Sequence, residues 1–139
     1  MKRIPLQKTV CGEVRVPGSK SLTHRALIAA ALARGYSVIA NPLFSDDTLL
    51  TAGALAQLGA GIRRQKDRFE VAGTDGRLQP VCTEIDLHHS GTSMRLLTAV
   101  AVLGRGSYTL TGSPRLQQRP VKDLLDALAQ LGVKTACLQ

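Results

Sequence analysis

Ala54-Leu55-Ala56-Gln57-Leu58-Gly59 recurs letter for letter as Ala127-Leu128-Ala129-Gln130-Leu131-Gly132, an offset of 73 residues (127 − 54). A second correspondence lies upstream. Ser21-Leu22-Thr23-His24-Arg25, ahead of an apolar stretch, matches Gly91-Thr92-Ser93-Met94-Arg95 ahead of Leu96 to Leu103, with the two arginines 70 apart (95 − 25). Arg34-Gly35 and Arg105-Gly106 end the two apolar stretches alike, and glycine suits the turn that follows a helix. Repetition at this spacing means one supersecondary unit used twice. Any fold for this chain has to contain that unit in duplicate.

The unit reads as βαβαββ. A β-run (Glu13 to Val16; Glu84 to Leu87) leads through a Ser/Thr/Gly-rich turn into an apolar helix, about 21–33 and about 92–103. A short strand follows (Ser37 to Ala40; Ser107 to Thr111), then an amphipathic helix, about 46–58 and about 120–131. Unit one, about 13–73, closes with strands Gly61 to Gln65 and Arg68 to Ala72 around a charged turn. Unit two, about 84–139, stops at Val133 to Gln139 before its last strand, so 1–139 reads as a single partial domain. Leu124, Leu125, Leu128 and Leu131 fall at helical spacing and define one buried face of the last helix. The class is α/β.

With 139 residues, 44% of them hydrophobic and 20% charged, the chain can build an ordinary core and is not disordered. It holds two Tyr, two Phe and no Trp, so Leu, Ala, Val and Ile must fill that core. A net charge of +8 first suggests a polyanion as partner. Few aromatics exist to stack on bases, however, and the densest basic cluster, Arg63 to Arg68, reads as a solvated turn. Nucleic acid is therefore disfavoured. Cys11, Cys82 and Cys137 are odd in number and show no C-x-x-C pattern, which argues for reduced thiols. No signal peptide opens the sequence and no apolar run is long enough for a bilayer. The expectation is a cytoplasmic protein without membrane attachment.

Chemistry concentrates in Val16-Pro17-Gly18-Ser19-Lys20-Ser21-Leu22-Thr23-His24-Arg25. This run puts a lysine, an arginine and three hydroxyls at the mouth of a helix that carries no charge over its next eight positions. Free amides and the helix dipole make such a mouth electropositive. Cations there oppose the dipole, and no acid within the run neutralises Lys20 or Arg25. An anionic small molecule is the simplest ligand for that arrangement.

Competing readings are weaker. Gly18-Ser19-Lys20-Ser21 is out of register for a nucleotide-binding loop, which needs glycine directly before the lysine. Asp46 and Asp47 behind Ser45 read as a capped, dipole-compensated helix start rather than as ligands. Asp86 and His88 share a strand face while His89 points the other way, so metal binding is disfavoured. Arg115 is as readily a solvated loop residue as a ligand.

Pro17-Gly18-Ser19-Lys20-Ser21 with Arg25, Ser90-Gly91-Thr92-Ser93-Met94-Arg95, and Leu116-Gln117-Gln118-Arg119-Pro120 resemble three signatures of the 5-enolpyruvylshikimate-3-phosphate synthase family, in order and joined by Ser45-Asp46-Asp47. Such enzymes are much longer. The resemblance implies two similar domains of three βαβαββ units each, with buried parallel helices and outer sheets, an inside-out α/β barrel. This chain resembles the first two units of one domain, with residues 1–12 as the strand that joins the other. The implied reaction moves the enolpyruvyl group of phosphoenolpyruvate to the 5-hydroxyl of shikimate 3-phosphate, releasing phosphate, without metal or organic cofactor.

By the same resemblance, Lys20 touches both substrates and is the catalytic candidate here. Ser21 and Arg25 hold shikimate 3-phosphate, Arg25 through the carboxylate. Gly91 offers its amide to phosphoenolpyruvate, Arg119 grips the anionic end of that ligand, and Thr92 and Arg95 are further contacts. Guanidinium groups suit carboxylate and phosphate oxygens. His89 stands where the family commonly has Asn, and the family's downstream acid/base carboxylates are not present in these residues. A fragment lacking them is expected to bind without turnover, and its uncovered helix faces and sheet edges are expected to self-associate. A nucleotide-sugar enolpyruvyl transferase and a non-catalytic anion-binding module are the alternatives.

Overall fold

Serines start four of the five helices in the computed structural model, which describes Pro5, Leu6 and residues 8–138. They are Ser19 before α1 (Lys20–Leu32), Ser45 before α2 (Asp46–Gln57), Ser90 before α3 (Gly91–Ala101) and Ser113 before α4 (Pro114–Gln117). Each hydroxyl accepts the amide of the third residue onward, which satisfies one otherwise orphaned donor. Ser45 forms a full capping box, because its own amide donates to Thr48 Oγ1 at 2.9 Å. The fifth helix, α5 (Lys122–Gln130), follows Val121 and has no side-chain cap.

The repeated hexapeptide ends its two helices in the same hydrogen-bonded motif. Gly59 N–H donates to Ala56 O at 3.0 Å and Ala60 N–H to Leu55 O at 3.1 Å. Gly132 and Val133 repeat the pattern on Ala129 O at 2.9 Å and Leu128 O at 3.2 Å. Gly59 (φ 106°) and Gly132 (φ 84°) take the left-handed conformation this termination requires. Gly35 (φ 89°) and Gly106 (φ 109°) sit likewise beyond the ends of α1 and α3.

Strands β1 (Tyr36–Ala40), β2 (Gly61–Arg64) and β3 (Arg68–Ala72) form an antiparallel sheet in the order β1-β3-β2. Phe69 and Val71 turn their side chains inward from β3, with polar or small neighbours between them. Arg64 lies over the Phe44 ring, 4.7 Å from its centroid, and Phe44 meets Phe69 at 5.0 Å, so part of the basic turn covers apolar surface. A second, parallel pair joins β4 (Glu84–Asp86) to β5 (Thr109–Thr111), with α3 as the connection between them. Helix α2 is central: α1 and α3 pack on it, α1 also covers β1 and β3, and α2 reaches β2 and β4. Leu27, Leu55, Leu58, Phe69, Ile85, Leu87 and Leu97 form the closed centre.

Four expectations change. Glu13 to Val16 is no strand, and Val14 and Val16 remain exposed, because no partner among the described residues pairs with that segment. The run that was to join another domain forms no strand in Pro5, Leu6 or residues 8–12; Met1 to Ile4 and Gln7 lie outside the described residues. The expected helix near 120–131 is preceded by α4, set by Ser113 and Pro114 at its first turn. On α5 only Leu128 is fully buried, Leu124 and Leu125 are half-buried, and Leu131 is 80% exposed, since Leu131 already belongs to the terminating turn.

Two glycines give a test of this packing. A methyl at Gly73 would collide with the carbonyl oxygens of Ala33 and Ala30, whereas one at Gly53, inside α2, meets nothing within 4 Å. Gly73→Ala is expected to destabilise by about 1–3 kcal/mol. Gly53→Ala should stabilise by about 0.5–1 kcal/mol. Chemical denaturation of both variants reads the signs directly, and equal signs would contradict this packing.

Candidate functional site

Gly18 lets the chain enter α1 against the 41–43 loop, where a Cβ would strike Asn41 O and Leu43 N. Thr23 Oγ1 completes that junction, accepting Leu43 N–H at 2.9 Å and donating to Ser19 O at 2.8 Å. The mouths of α1 and α2 are thus fixed side by side. Lys20 at the first position of α1 reaches Asp47 in the first turn of α2, Nζ to Oδ2 2.8 Å. No acid within residues 16–25 neutralises Lys20; the acid comes from the next helix. Asp47 and Asp46 still occupy the first turn of α2, where negative charge suits the dipole.

Asp47 also meets the third mouth. Its backbone carbonyl accepts from Ser93 Oγ at 3.3 Å, and Ser93 lies one turn into α3. Behind this contact His24 Nδ1 lies 2.8 Å from Thr51 Oγ1, which lies 2.8 Å from Ser93 Oγ, itself 2.6 Å from Ser90 Oγ. All four residues are buried. Ser90 and Ser93 belong to the second signature and His24 to the run that ends at Arg25, while Thr51 belongs to none, so the motifs do not announce the string. Its sequence signal is polar side chains at buried positions of otherwise apolar helices: His24, Thr51 and Ser93.

Around α3, Gly91 is buried and carries the Arg119 guanidinium against it, in space that any side chain at position 91 would fill. Arg95 steadies the same loop, its Nη2 donating to Pro120 O at 2.9 Å. His89 Nδ1 lies 2.8 Å from Ser113 Oγ, and His89, Ser113, Arg115, Leu116 and Arg119 line a cavity of about 210 Å³. His88 takes a left-handed backbone (φ 46°) just before this turn, held by its amide donating to Asp86 Oδ1 at 2.8 Å. Ser21 and Thr92 are exposed on the first turns of their helices, and Arg25 is exposed on the second turn of α1. Of the expected residues, then, Lys20 is tied through Asp47 to the mouth that bears Gly91, Thr92 and Arg95, and Arg119 leans on Gly91. Neither α1 nor α3 has an acid in its first turn. Among the described residues, no three His, Cys, Asp or Glu side chains gather as metal ligands, and no helix is long and apolar enough to cross a membrane.

Charge states follow from these contacts. The Asp47 carboxyl is held below its ordinary value chiefly by the Lys20 ammonium, with the Ser90 hydroxyl adding and desolvation opposing. Burial lowers the His24 imidazole, while Asp47 pulls the other way and Lys20 assists. Both groups bind a proton more weakly in the folded chain than in the unfolded one, so both remove stability on acidification. The His24 contribution is full above the unfolded value of about 6.5 and is lost as pH falls below it. That of Asp47 is full above about 3.9 and is lost as pH falls through its lower folded value. Melting temperature should hold between pH 9 and 7 and fall below about 6.5, with His24→Asn removing that upper step. A melting temperature that rises from pH 7 to 5 would contradict the placement of His24.

Known proteins share this fold and much of this sequence. The family model for EPSP synthase (3-phosphoshikimate 1-carboxyvinyltransferase) matches residues 5–139. The 3-phosphoshikimate 1-carboxyvinyltransferase of Methanospirillum hungatei is 49% identical over 130 residues, covering 94% of this chain and 30% of that protein. That of Methanosphaerula palustris is 54% identical over 121 residues, 84% of this chain and 28% of that protein. The solved EPSP synthase from Acinetobacter baumannii superposes with a TM-score of 0.81 at 28% identity, over 88% of this chain and 28% of that one. The chain therefore spans about 30% of the length of the relatives it matches. It belongs to the EPSP synthase family.

Proposed function

We propose that this chain forms part of a transferase that moves the enolpyruvyl group of phosphoenolpyruvate to the 5-hydroxyl of shikimate 3-phosphate, with release of phosphate. The observation that carries the reading is the joining, through Asp47, of two helix mouths that have no acid in their own first turns. Lys20 stands at one mouth, and the buried Gly91 backed by Arg119 stands at the other. Two substrates that each bear a carboxylate and a phosphate need paired cationic and amide sites set side by side. Lys20 then lies between both ligands. Ser21 and Arg25 take shikimate 3-phosphate, and the Gly91 amide and Arg119 take phosphoenolpyruvate. Thr92 borders that second ligand, and Arg95 acts on it through the 119–120 loop. The chain's share of catalysis is orientation and charge stabilisation. Proton transfer falls to carboxylates supplied from elsewhere in the family's architecture, so the 139 residues alone bind without releasing phosphate.

The wider architecture belongs to the same proposal. Residues about 13–73 and about 84–139 are two copies of one βαβαββ unit in an inside-out α/β barrel, with Arg25 and Arg95 at equivalent mouths. The matching bonds of Gly59 and Ala60 in one helix end and of Gly132 and Val133 in the other support this. Leu22, Val38, Val81 and Leu103, all more than half exposed, are apolar surface for other parts of the protein or for a second copy to cover. We place the protein in the cytoplasm, where such a biosynthetic enzyme meets its substrates.

Calorimetric titration of the chain with each substrate, beside a short DNA oligonucleotide, tests the assignment. Lys20→Ala should weaken both substrates, Arg119→Ala phosphoenolpyruvate first, and Arg25→Ala shikimate 3-phosphate first, each by roughly ten- to a hundredfold. Affinity for the oligonucleotide alone, or unchanged affinity for both substrates in Lys20→Ala, would overturn it.

A further inference from the structure

His24 is fully buried, and its Nε2 is the one buried side-chain polar atom without a partner among the described residues. Its Nδ1 begins the string that crosses all three packed helices, from α1 through Thr51 in α2 to Ser93 and Ser90 at the head of α3. The string has a direction. Asp47 O at its far end can only accept, and Ser90 Oγ already accepts the Ser93 amide at 3.3 Å. With each hydroxyl holding one proton, outward donation runs from Ser93 to Asp47 O, from Thr51 to Ser93, and from Nδ1–H to Thr51. The reverse order would put the ring proton on Nε2, an orphaned donor in a closed core, and would leave Asp47 O without Ser93. An orphaned lone pair at Nε2 is the milder outcome.

We propose that this string is a positioning device for the anion site: a neutral, Nδ1-protonated His24 donates outward through Thr51 and Ser93 and locks the N-terminal halves of α1, α2 and α3 in one register. His24 immediately precedes Arg25, one turn after Lys20, and Ser93 follows Gly91 and Thr92 on the first turn of α3. A rotation of either helix about its axis breaks the string before it moves the ligand-facing residues far. Hydroxyls specify this register where an all-apolar contact would tolerate sliding. The charged groups near the imidazole are Asp47 and Lys20, which already neutralise one another. The inference rests on the anion-binding reading for its purpose, though not for its geometry.

Nitrogen-15 spectra of the labelled chain, with inorganic phosphate as the probe, test it. The His24 ring should report the Nδ1–H tautomer, neutral from pH 8 to 6. Phosphate should shift the Ser21 and Gly91 amides. Thr51→Val keeps the shape and cuts the string; it should unfold cooperatively, lose the single tautomer and bind phosphate about tenfold more weakly. His24→Asn, which retains a donor, should bind within about twofold of the parent, and His24→Leu should match Thr51→Val. A purely structural role predicts a lower melting temperature in Thr51→Val with phosphate affinity unchanged, and that result overturns the proposal. So does an Nε2–H tautomer in the parent chain. Absence of any phosphate response in the parent would count against the anion site itself, and the tautomer would then decide the string alone.

Discussion

Asp47 holds two neighbours with two different groups, and the arrangement of the site depends on both. Its carboxylate takes the Lys20 ammonium from α1, and its backbone oxygen takes the Ser93 hydroxyl from α3. A carboxylate in the first turn of a helix is already favoured by the dipole. Here it also draws a lysine at the opening of α1, otherwise repelled by that helix's own dipole, toward the mouth of α2. The Lys20 side chain is 46% exposed, so the pair contributes little to net stability. Its consequence is positional.

Around that bridge the molecule separates stability from function. The closed centre of Leu, Val, Ile and Phe side chains holds the three helices on their sheets, and none of the residues expected to touch substrate belongs to it. Apolar packing is tolerant of small rotations, whereas hydrogen bonds of 2.6–2.8 Å are not. The buried hydroxyls and His24 therefore set an orientation that hydrophobic burial alone leaves loose. Gly91 serves the same end differently: its missing side chain lets the Arg119 guanidinium rest on the α3 mouth.

Much of this was legible in the residues. The hexapeptide repeat marks two helix ends that share a hydrogen-bond pattern, and Ser45 ahead of Asp46 and Asp47 marks the start of α2, whereas the caps at Ser19 and Ser90 emerge only in the structure. Local rules suffice for such features because their partners lie within a turn. Glu13 to Val16 misled for the opposite reason. Its alternation fits a strand, but a strand needs a partner edge, and none is supplied among the described residues. The Lys20–Asp47 pair spans 27 positions and Thr51–Ser93 spans 42, so no local pattern announces either. His24 looked like one polar letter in an apolar helix; only the packing reveals what it faces.

The central claim is that anions meet the joined mouths of α1 and α3 rather than the protein's general positive charge. Amide chemical-shift mapping on the labelled chain with phosphoenolpyruvate and shikimate 3-phosphate together tests this most directly. The account predicts perturbations confined to two separate segments, residues 19–25 and 89–95, with Arg119 following. Shifts centred instead on the basic turn at residues 63–68, and abolished by modest salt, would contradict it.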